Sequence, residues 1–359
     1  MPSDHAVRGA QPVMADVAAL AGVSHQTVSR VLNDRPNVRP ATRERVLAAV
    51  RELDYRPNPA ARSLVTRRSQ TLGVISFDST LYGPSQMLYG IEQAARGAGY
   101  FTTIASLRHQ DVRSIREAVD RLRDQAVEGV AVIASQASTV AAFAQHVGTV
   151  PMVTVGATGS GRLPGAGVDN AAGAEAAVRY LLDLGHRTVH HVAGPADWLE
   201  AVARRRGWAQ ALDASAGQVP DSLTGDWSAR SGYEAGLHLR RDPSVTAVFC
   251  ANDHMALGVL RAFHEIGRRV PEDVSVVGFD DIPEAGFLAP PLTTVRQDFG
   301  ELGRRGLELL LRCVQAPGPP TGPPTAGPPA AIVAPELVLR ASTGRPAAGP
   351  RTPRRPTKC

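Results

Sequence analysis

Two short amphipathic stretches meet at Gly22-Val23-Ser24 within residues 14–33 (MADVAALAGVSHQTVSRVLN), and that spacing leaves few folds open. The first stretch carries apolar residues at Val17, Leu20 and Ala21, and it stops at Gly22, where the chain needs a residue at ease with positive φ. Ser24 is placed to cap a second helix whose inward face is Val28, Val31 and Leu32. Its other face presents His25, Gln26, Ser29 and Arg30, with Thr27 and Asn33 beside them, all side chains that can hydrogen-bond to bases or phosphates. Such a pair predicts a helix-turn-helix with a polar recognition face. An ordinary helical hairpin accounts for the turn but not for twenty contiguous matching positions.

The next residues extend the pattern. Ala41–Asp54 places Val46, Leu47, Val50 and Leu53 at helical spacing, enough to close a miniature three-helix core. Then comes YRPNPAARSL, in which Asn58 suits an N-cap and Pro59 the first helical position. The helix it predicts has only two turns. Helices that short are marginal in water, so this one requires something to pack against.

This order of elements resembles the lac-repressor (LacI) family of bacterial transcription regulators. The resemblance implies that the hinge helices of two subunits pair in the minor groove at the centre of a palindromic operator. There Leu64 would wedge between base steps, with Asn58 and Arg62 as further hinge residues on the DNA; the larger protein surface that kinked DNA can wrap offsets the cost of unstacking. By position His25, Gln26 and Arg30 match the family's major-groove readers, and Arg30 and Gln26 suit guanine and adenine edges respectively. Val13 departs from the pattern, standing where the family usually has a threonine able to cap the first helix.

Charge divides the same way. The net charge of +5 conceals 11 Arg against 6 acidic residues in 1–70, and 5 Arg and 1 Lys with no acid in 340–359, so the stretch between is acidic. A basic head on an acidic body fits a DNA-binding module joined to a ligand-binding domain. Arginine supplies 38 of the 39 basic residues, a bias best explained by codon usage. At 359 residues there is room for two or three domains. No apolar run is long enough to span a membrane, and the N-terminus lacks a signal core. Cys250, Cys313 and Cys359 are scattered and odd in number, which suggests no disulfide framework and fits a reducing cytoplasm.

From Thr71 onward short apolar runs alternate with amphipathic stretches: LGVIS (72–76), FTTIAS (101–106), GVAVIA (129–134), VPMVTV (150–155), TVHHVAG (188–194), VTAVFCAND (245–253) and DVSVVGFDD (273–281). Strands alternating with helices predict parallel sheets wound through βαβ units, too many for one mononucleotide-type fold. The expected class is therefore a small all-α headpiece plus an α/β core. The resemblance implies that this core is two-lobed and periplasmic-binding-protein-like, with ligand between the lobes. The predicted layout is an unstructured extension (1–12), headpiece (13–57), hinge and linker (58–70), core (71–343) and unstructured basic tail (344–359). The first lobe takes about 71–168 and 300–330; the second takes about 169–297 and 332–342, including a terminal strand near Ile332–Ser342. Within this plan the Pro-rich 316–330 replaces a short crossover by an extended loop.

In such sheets ligand residues lie at the carboxyl ends of strands, which selects Asn252-Asp253, Asp280-Asp281 and the loops before PSQ and after HVAG. The resemblance selects the same places: Arg204 as the cleft arginine, Asn252 and Asp280 for sugar hydroxyls, Trp227 and Phe299 as apolar walls, Trp198 as a second aromatic face. An aromatic plate beside a few Asp, Asn and Arg groups is sugar-site chemistry. GDWSARSGY, ANDHMALG and PPLTTVRQDF are closest to the lac-repressor type, yet Phe77 and Gly156 stand where that type has a serine and an aspartate. A reshaped pocket that includes Phe77, and hence a different glycoside, is expected. Three plainer assignments compete: Trp227 as core, Asp281 as cap or backbone anchor, and Arg204 in an exposed pair with Glu200.

Enzyme motifs are not found. Adjacent Asp280 and Asp281 cannot flank a scissile bond at the separation required, GSGRLPGAG lacks a phosphate-loop ending, and no serine occupies a nucleophile elbow. His186, His190 and His191 have no metal-motif spacing. The sequence therefore predicts a cytoplasmic (nucleoid-associated when bound to DNA), dimeric regulator, a repressor without cofactor. It would bind double-stranded operator DNA and answer to a sugar, and it would not contact membrane. The alternatives are a purine- or nucleoside-corepressed regulator, whose pocket would be built for base stacking, or a ligand receptor with no DNA role, which would have no use for residues 14–65. The tail has no leucine heptads of the kind that build tetramers.

Overall fold

Gly22 takes φ +61° and ends a first helix, α1 (Met14–Ala21); after one turn Ser24 starts a second, α2 (His25–Leu32), by accepting the Thr27 N–H at 3.2 Å. The computed structural model describes residues 12–56, 68–77, 80–109, 111–145, 150–157, 163–215, 217–315 and 330–347. The hinge with Asn58, Arg62 and Leu64, the Pro-rich 316–329, and the tail beyond 347 lie outside the described residues. The chain divides into two compact units, 1–69 and 70–359.

In the first unit a third helix, α3 (Pro40–Glu52), closes a core of Val17, Ala18, Ala21, Val28, Val31, Val46, Ala49 and Tyr55. Two expected core residues are displaced from it: Leu20 and Leu47 are exposed, 47 % and 37 %. Ala18 and Ala49 take their places, because three short helices meeting at one point leave room for alanine methyls where they approach most closely. Val13, as expected from its side chain, caps nothing; its backbone N–H instead reaches the Asp16 carboxylate at 2.8 Å.

The second unit contains two six-stranded sheets. In the first sheet β1 (Thr71–Phe77), β2 (Phe101–Leu107), β3 (Gly129–Ile133), β4 (Met152–Val155) and β5 (Gly165–Val168) are joined by α4 (Tyr82–Gly97), α5 (Val112–Asp124) and α6 (Ala137–Ala144). The second has β6 (His190–Ala193), β7 (Leu223–Thr224), β8 (Ala247–Cys250), β9 (Ser275–Asp280) and β10 (Thr293–Arg296). Its helices are α7 (Asn170–Asp183), α8 (Leu199–Ala214), α9 (Ala229–Leu239) and α10 (Asp253–His264). A long helix, α11 (Phe299–Gln315), returns to the first sheet, and two short strands follow, β11 (Ala330–Val333) and β12 (Glu336–Val338).

The strand orders are β11-β5-β4-β3-β1-β2 and β12-β10-β9-β8-β6-β7, parallel throughout except for β12, which runs antiparallel to β10. The two ends of the expected terminal strand therefore part company. Ile332 and Val333 belong to the first sheet, in register with Gly167 and Val168, and only 336–338 joins the second. Pro335 is the physical reason: with no N–H to donate it breaks one apolar run into two, and each piece completes a different sheet edge. The chain thus crosses between the sheets three times, after β5, before α11 and after β11.

Alternation along β1 sorts its side chains by face. Leu72 and Val74 pack with Ile91, Leu302 and Leu310 under α4 and α11, while Ile75 and Phe77 face Ile115, Val119 and Phe143 under α5 and α6. The packing of α4 on α11 depends on glycine: a Cβ on Gly90 of α4 would lie 2.3 Å from the Phe299 carbonyl oxygen, and one on Gly303 would lie 2.2 Å from the carbonyl carbon of Gly90.

Candidate nucleic-acid interface and ligand cleft

On α2 the side chains of His25, Gln26 and Arg30 are exposed and bonded to nothing among the described residues. Their neighbours hold the helix in shape. The Thr27 hydroxyl meets that of Ser24 at 2.9 Å, and the Asn33 amide donates to the Ser29 carbonyl at 2.8 Å, closing the helix end. Ser29 is half-buried between Gln26 and Arg30. Three donors within two turns, on a helix anchored by Val28 and Val31, form a face that can be laid along base edges.

In the second unit, elements from both sheets enclose a cleft of about 330 Å³. Arg204, on the second turn of α8, is 4 % exposed. Its Nε donates to Asn170 Oδ1 at 2.8 Å, its Nη1 donates to the Ala251 carbonyl and approaches Asp280 Oδ1 at 3.5 Å, and its Cζ lies 3.8 Å from the centre of the Phe279 ring. Glu200 makes no ion pair with it, so the exposed i,i+4 bridge does not form. Asp280 ends β9 at φ +114° and accepts the Gln297 amide at 2.6 Å. Burial pushes its carboxyl up and the Arg204 guanidinium holds it back; burial equally works against the charge on Arg204.

Asn252 is engaged at both ends of its amide: its Oδ1 caps α10 by accepting the Met255 N–H at 2.9 Å, and its Nδ2 donates to the Trp227 carbonyl at 3.0 Å. Thus it fixes the backbone of Trp227, which sits at φ +72°. Trp227 is both wall and core. It is packed among Val192, Cys250 and Met255, lines the cleft, meets Trp198 edge to face at 5.5 Å, and leaves its indole Nε1 without a partner among the described residues. Phe299 opens α11 and packs against Tyr82 at 6.0 Å, so a ring pair from the first sheet's helices faces the indole pair.

Phe77 is the exception among the expected cleft residues. Its ring packs edge to face on Phe143 at 6.3 Å, inside the α5/α6 core rather than on the cleft wall. The cause is strand periodicity, which turns position 77 to the same face as Ile75. Asp281 is an anchor: its oxygens meet Arg296 Nε and Arg340 Nη2, each at 2.7 Å. Asp253 likewise serves the fold, accepting Thr294 Oγ1 at 2.5 Å and the Ile282 N–H at 2.9 Å, with its carboxyl raised to about 8 by burial.

Tyr82 falls in the segment before PSQ that strand-end reasoning selects, whereas Ser135, Glu200, His254 and Gln297 also line the cleft and are not legible from the sequence. Gln297 stands two residues before Phe299 in VRQDFG, and Glu200 suggests only a charge partner for Arg204. Burial of Tyr82, with Asp280 nearby, raises its phenol to about 12. Among the described residues no three His, Cys, Asp or Glu side chains gather as a metal site. His186 is held by Thr246, Ser275 and the Gly344 carbonyl, and His191 stacks on Phe249 with its pKa lowered to about 4 by burial. No described helix is long and apolar enough to cross a membrane.

Known proteins share both parts. Residues 13–58 match the family model described as bacterial regulatory proteins, lacI family, and 178–343 match a periplasmic binding protein-like domain. The lactose operon repressor of Escherichia coli K12 is 35 % identical over 302 residues, covering 84 % of each chain. The HTH-type transcriptional repressor CytR of the same strain is 34 % identical over 334 residues, 92 % of this chain and 96 % of that one. Among solved structures, a lac repressor dimer bound to operator and the anti-inducer ONPF has a TM-score of 0.81 at 33 % identity, covering 93 % of this chain and all of that one. A complex of the regulator CelR with cellobiose has a TM-score of 0.67 at 32 % identity, covering 92 % and 99 %. With identity sustained across headpiece and core alike, the chain belongs to the lacI family of bacterial regulatory proteins.

Proposed function

We propose that this protein is a sequence-specific transcriptional repressor that binds a palindromic operator as a dimer and is controlled by a sugar or glycoside in the core cleft. The reading of DNA belongs to His25, Gln26 and Arg30 on α2, with Thr27, Ser29 and Asn33 shaping that face. The hinge residues Asn58, Arg62 and Leu64 act in the minor groove, by analogy with the family. Binding, rather than catalysis, is the role: the relatives are transcriptional repressors.

The observation that carries the effector reading is the buried chain Asn170–Arg204–Asp280–Gln297 at the carboxyl edge of the second sheet, laid beside the Trp198–Trp227 pair. Planar charged groups fixed in this way take paired hydroxyls, and the indole edges and faces cover C–H surface. Because the chain crosses between the sheets three times, a ligand touching both lobes biases their arrangement, and through the hinge the spacing of two headpieces. To swing operator occupancy from mostly bound to mostly released, the effector must prefer the released state by roughly 10⁴-fold.

The test is a titration of the full-length protein on a palindromic fragment from its own upstream region, with and without mono- and disaccharides. Release by one sugar supports the reading. Operator binding indifferent to every sugar but tightened by a purine overturns the cleft assignment and leaves that of the headpiece standing.

A further inference from the structure

Glu200 differs from Asp280, the other carboxyl of the cleft wall, which Arg204 and Gln297 hold. It lies in the first turn of α8, is 8 % exposed, and neither of its carboxyl oxygens has a hydrogen-bond partner among the described residues. A buried carboxyl without donors is costly to the fold unless a ligand completes it. The neighbouring Arg204 and Gln297 do not complete it: Arg204 bonds Asn170, Ala251 and Asp280, and the Gln297 amide bonds Asp280. Glu200 also stands at the seam of the two lobes. A Cβ on Gly156, at the end of β4 in the first sheet, would lie 3.3 Å from Glu200 Oε1 and 3.2 Å from Met87 Sδ. Gly156, having no side chain, leaves that room to the carboxyl.

We propose that Glu200 is a ligand-contacting residue that determines effector specificity: its carboxylate accepts two neighbouring hydroxyls of the sugar at the seam between the lobes. The proton it carries beforehand passes to solvent as the sugar binds. This rests on the sugar-effector reading above and adds to it both a contact and a proton.

The electrostatics fit. Burial raises the Glu200 carboxyl to about 7, and the Asp280 charge adds to that rise; Arg204 and the nearby Ser135 hydroxyl oppose it. His254 and Tyr82 are the remaining titratable groups of the cleft wall. Near neutral pH the group is thus divided between its two forms. Two hydroxyl donors favour the ionised one, since hydrogen bonds to a charged acceptor are the stronger kind. The α8 N-terminus favours negative charge at the same place.

The experiment follows tryptophan fluorescence of full-length wild type and Glu200→Gln, from Trp198 and Trp227 in the cleft, with glucose, galactose, ribose, lactose and cellobiose, and with adenosine and cytidine as controls. Titrations are run at pH 6 and pH 8, with thermal melts to check the fold of the variant. For the sugar that binds, wild-type affinity should be about five- to tenfold higher at pH 8 than at pH 6. Glu200→Gln should be flat across that range and weaker at pH 8 by roughly tenfold or more. A folded Glu200→Gln protein with wild-type affinity and an unchanged pH profile overturns the role of Glu200 and leaves the sugar reading intact. Binding of a nucleoside alone, or of nothing in the panel, overturns the sugar reading and this inference with it.

Discussion

A side chain kept for a ligand is a side chain the fold does without, and Glu200 makes that measurable. Its pKa of about 7 in the folded chain exceeds the ordinary value of 4.5, so the folded state holds a proton between those values that the unfolded state has released. Stability attributable to this group therefore falls as pH rises from about 4.5 and is fully lost above about 7. Glu200→Gln should melt a few degrees above wild type at pH 8 and level with it at pH 4.5, as read by circular dichroism. A variant no more stable at pH 8 would show that the buried carboxyl costs nothing. Asp280 is the opposite case, since it supports Arg204 and Gln297 and also faces the cleft. Asp280→Asn keeps the shape but removes the charge, and sugar affinity should fall roughly tenfold or more. An unchanged titration would move the ligand elsewhere.

At the level of elements, α4 and α11 bring the first sheet's half of the cleft together. Gly90 and Gly303 allow their backbones to touch, and Phe299 begins α11 at that contact. Gly90→Ala would drive a methyl into the Phe299 carbonyl, at a cost of about 1–3 kcal/mol or more in urea unfolding, with sugar binding weakened through the displaced ring. In the headpiece, Ser24 supplies the cap of the recognition helix, and Ser24→Ala should cost about 1 kcal/mol and loosen operator binding with no change in sugar affinity. The hinge helix expected around Leu64 is too short to stand alone. Leu64→Ala should therefore weaken operator binding while effector affinity stays near wild type; equal loss of both in paired titrations would refute that separation of roles.

Across the molecule, charge is divided by task. The first 70 residues carry 11 Arg against 6 acids, whereas the stretch up to residue 339 is net acidic. Phosphate contacts made by such a head release counter-ions, so operator affinity should drop by roughly 10³-fold or more between 50 and 200 mM salt. Sugar affinity should move little over that range, because the Arg204–Asp280 pair is buried and weakly screened. Anisotropy titrations on labelled operator would check the first statement and tryptophan fluorescence the second. A salt-independent operator affinity would argue against a phosphate-anchored headpiece.

Local signals in the sequence are complete enough to define elements. Gly22 needs left-handed backbone, Ser24 caps the next helix, and alternating runs such as LGVIS and VSVVGFDD specify strands, because turn chemistry and periodicity act over a few residues. The same reasoning places Asn252 and Asp280 at strand ends, where an α/β sheet presents its ligands, whereas Arg204 is marked only by the family resemblance. What the sequence leaves undecided involves partners far apart in the chain. Periodicity puts Phe77 on the Ile75 face of β1, but that this face is closed by the α5/α6 core depends on Phe143, 66 positions away. Ile332 joins the first sheet because β5 offers it an edge and Pro335 cuts it from the second. Glu200 becomes a cleft residue only when Gly156 comes to lie beside it from the other lobe. Helix caps and strand faces depend on neighbours in sequence, whereas burial, pairing and pKa depend on which surfaces meet, and that is decided by the packed chain.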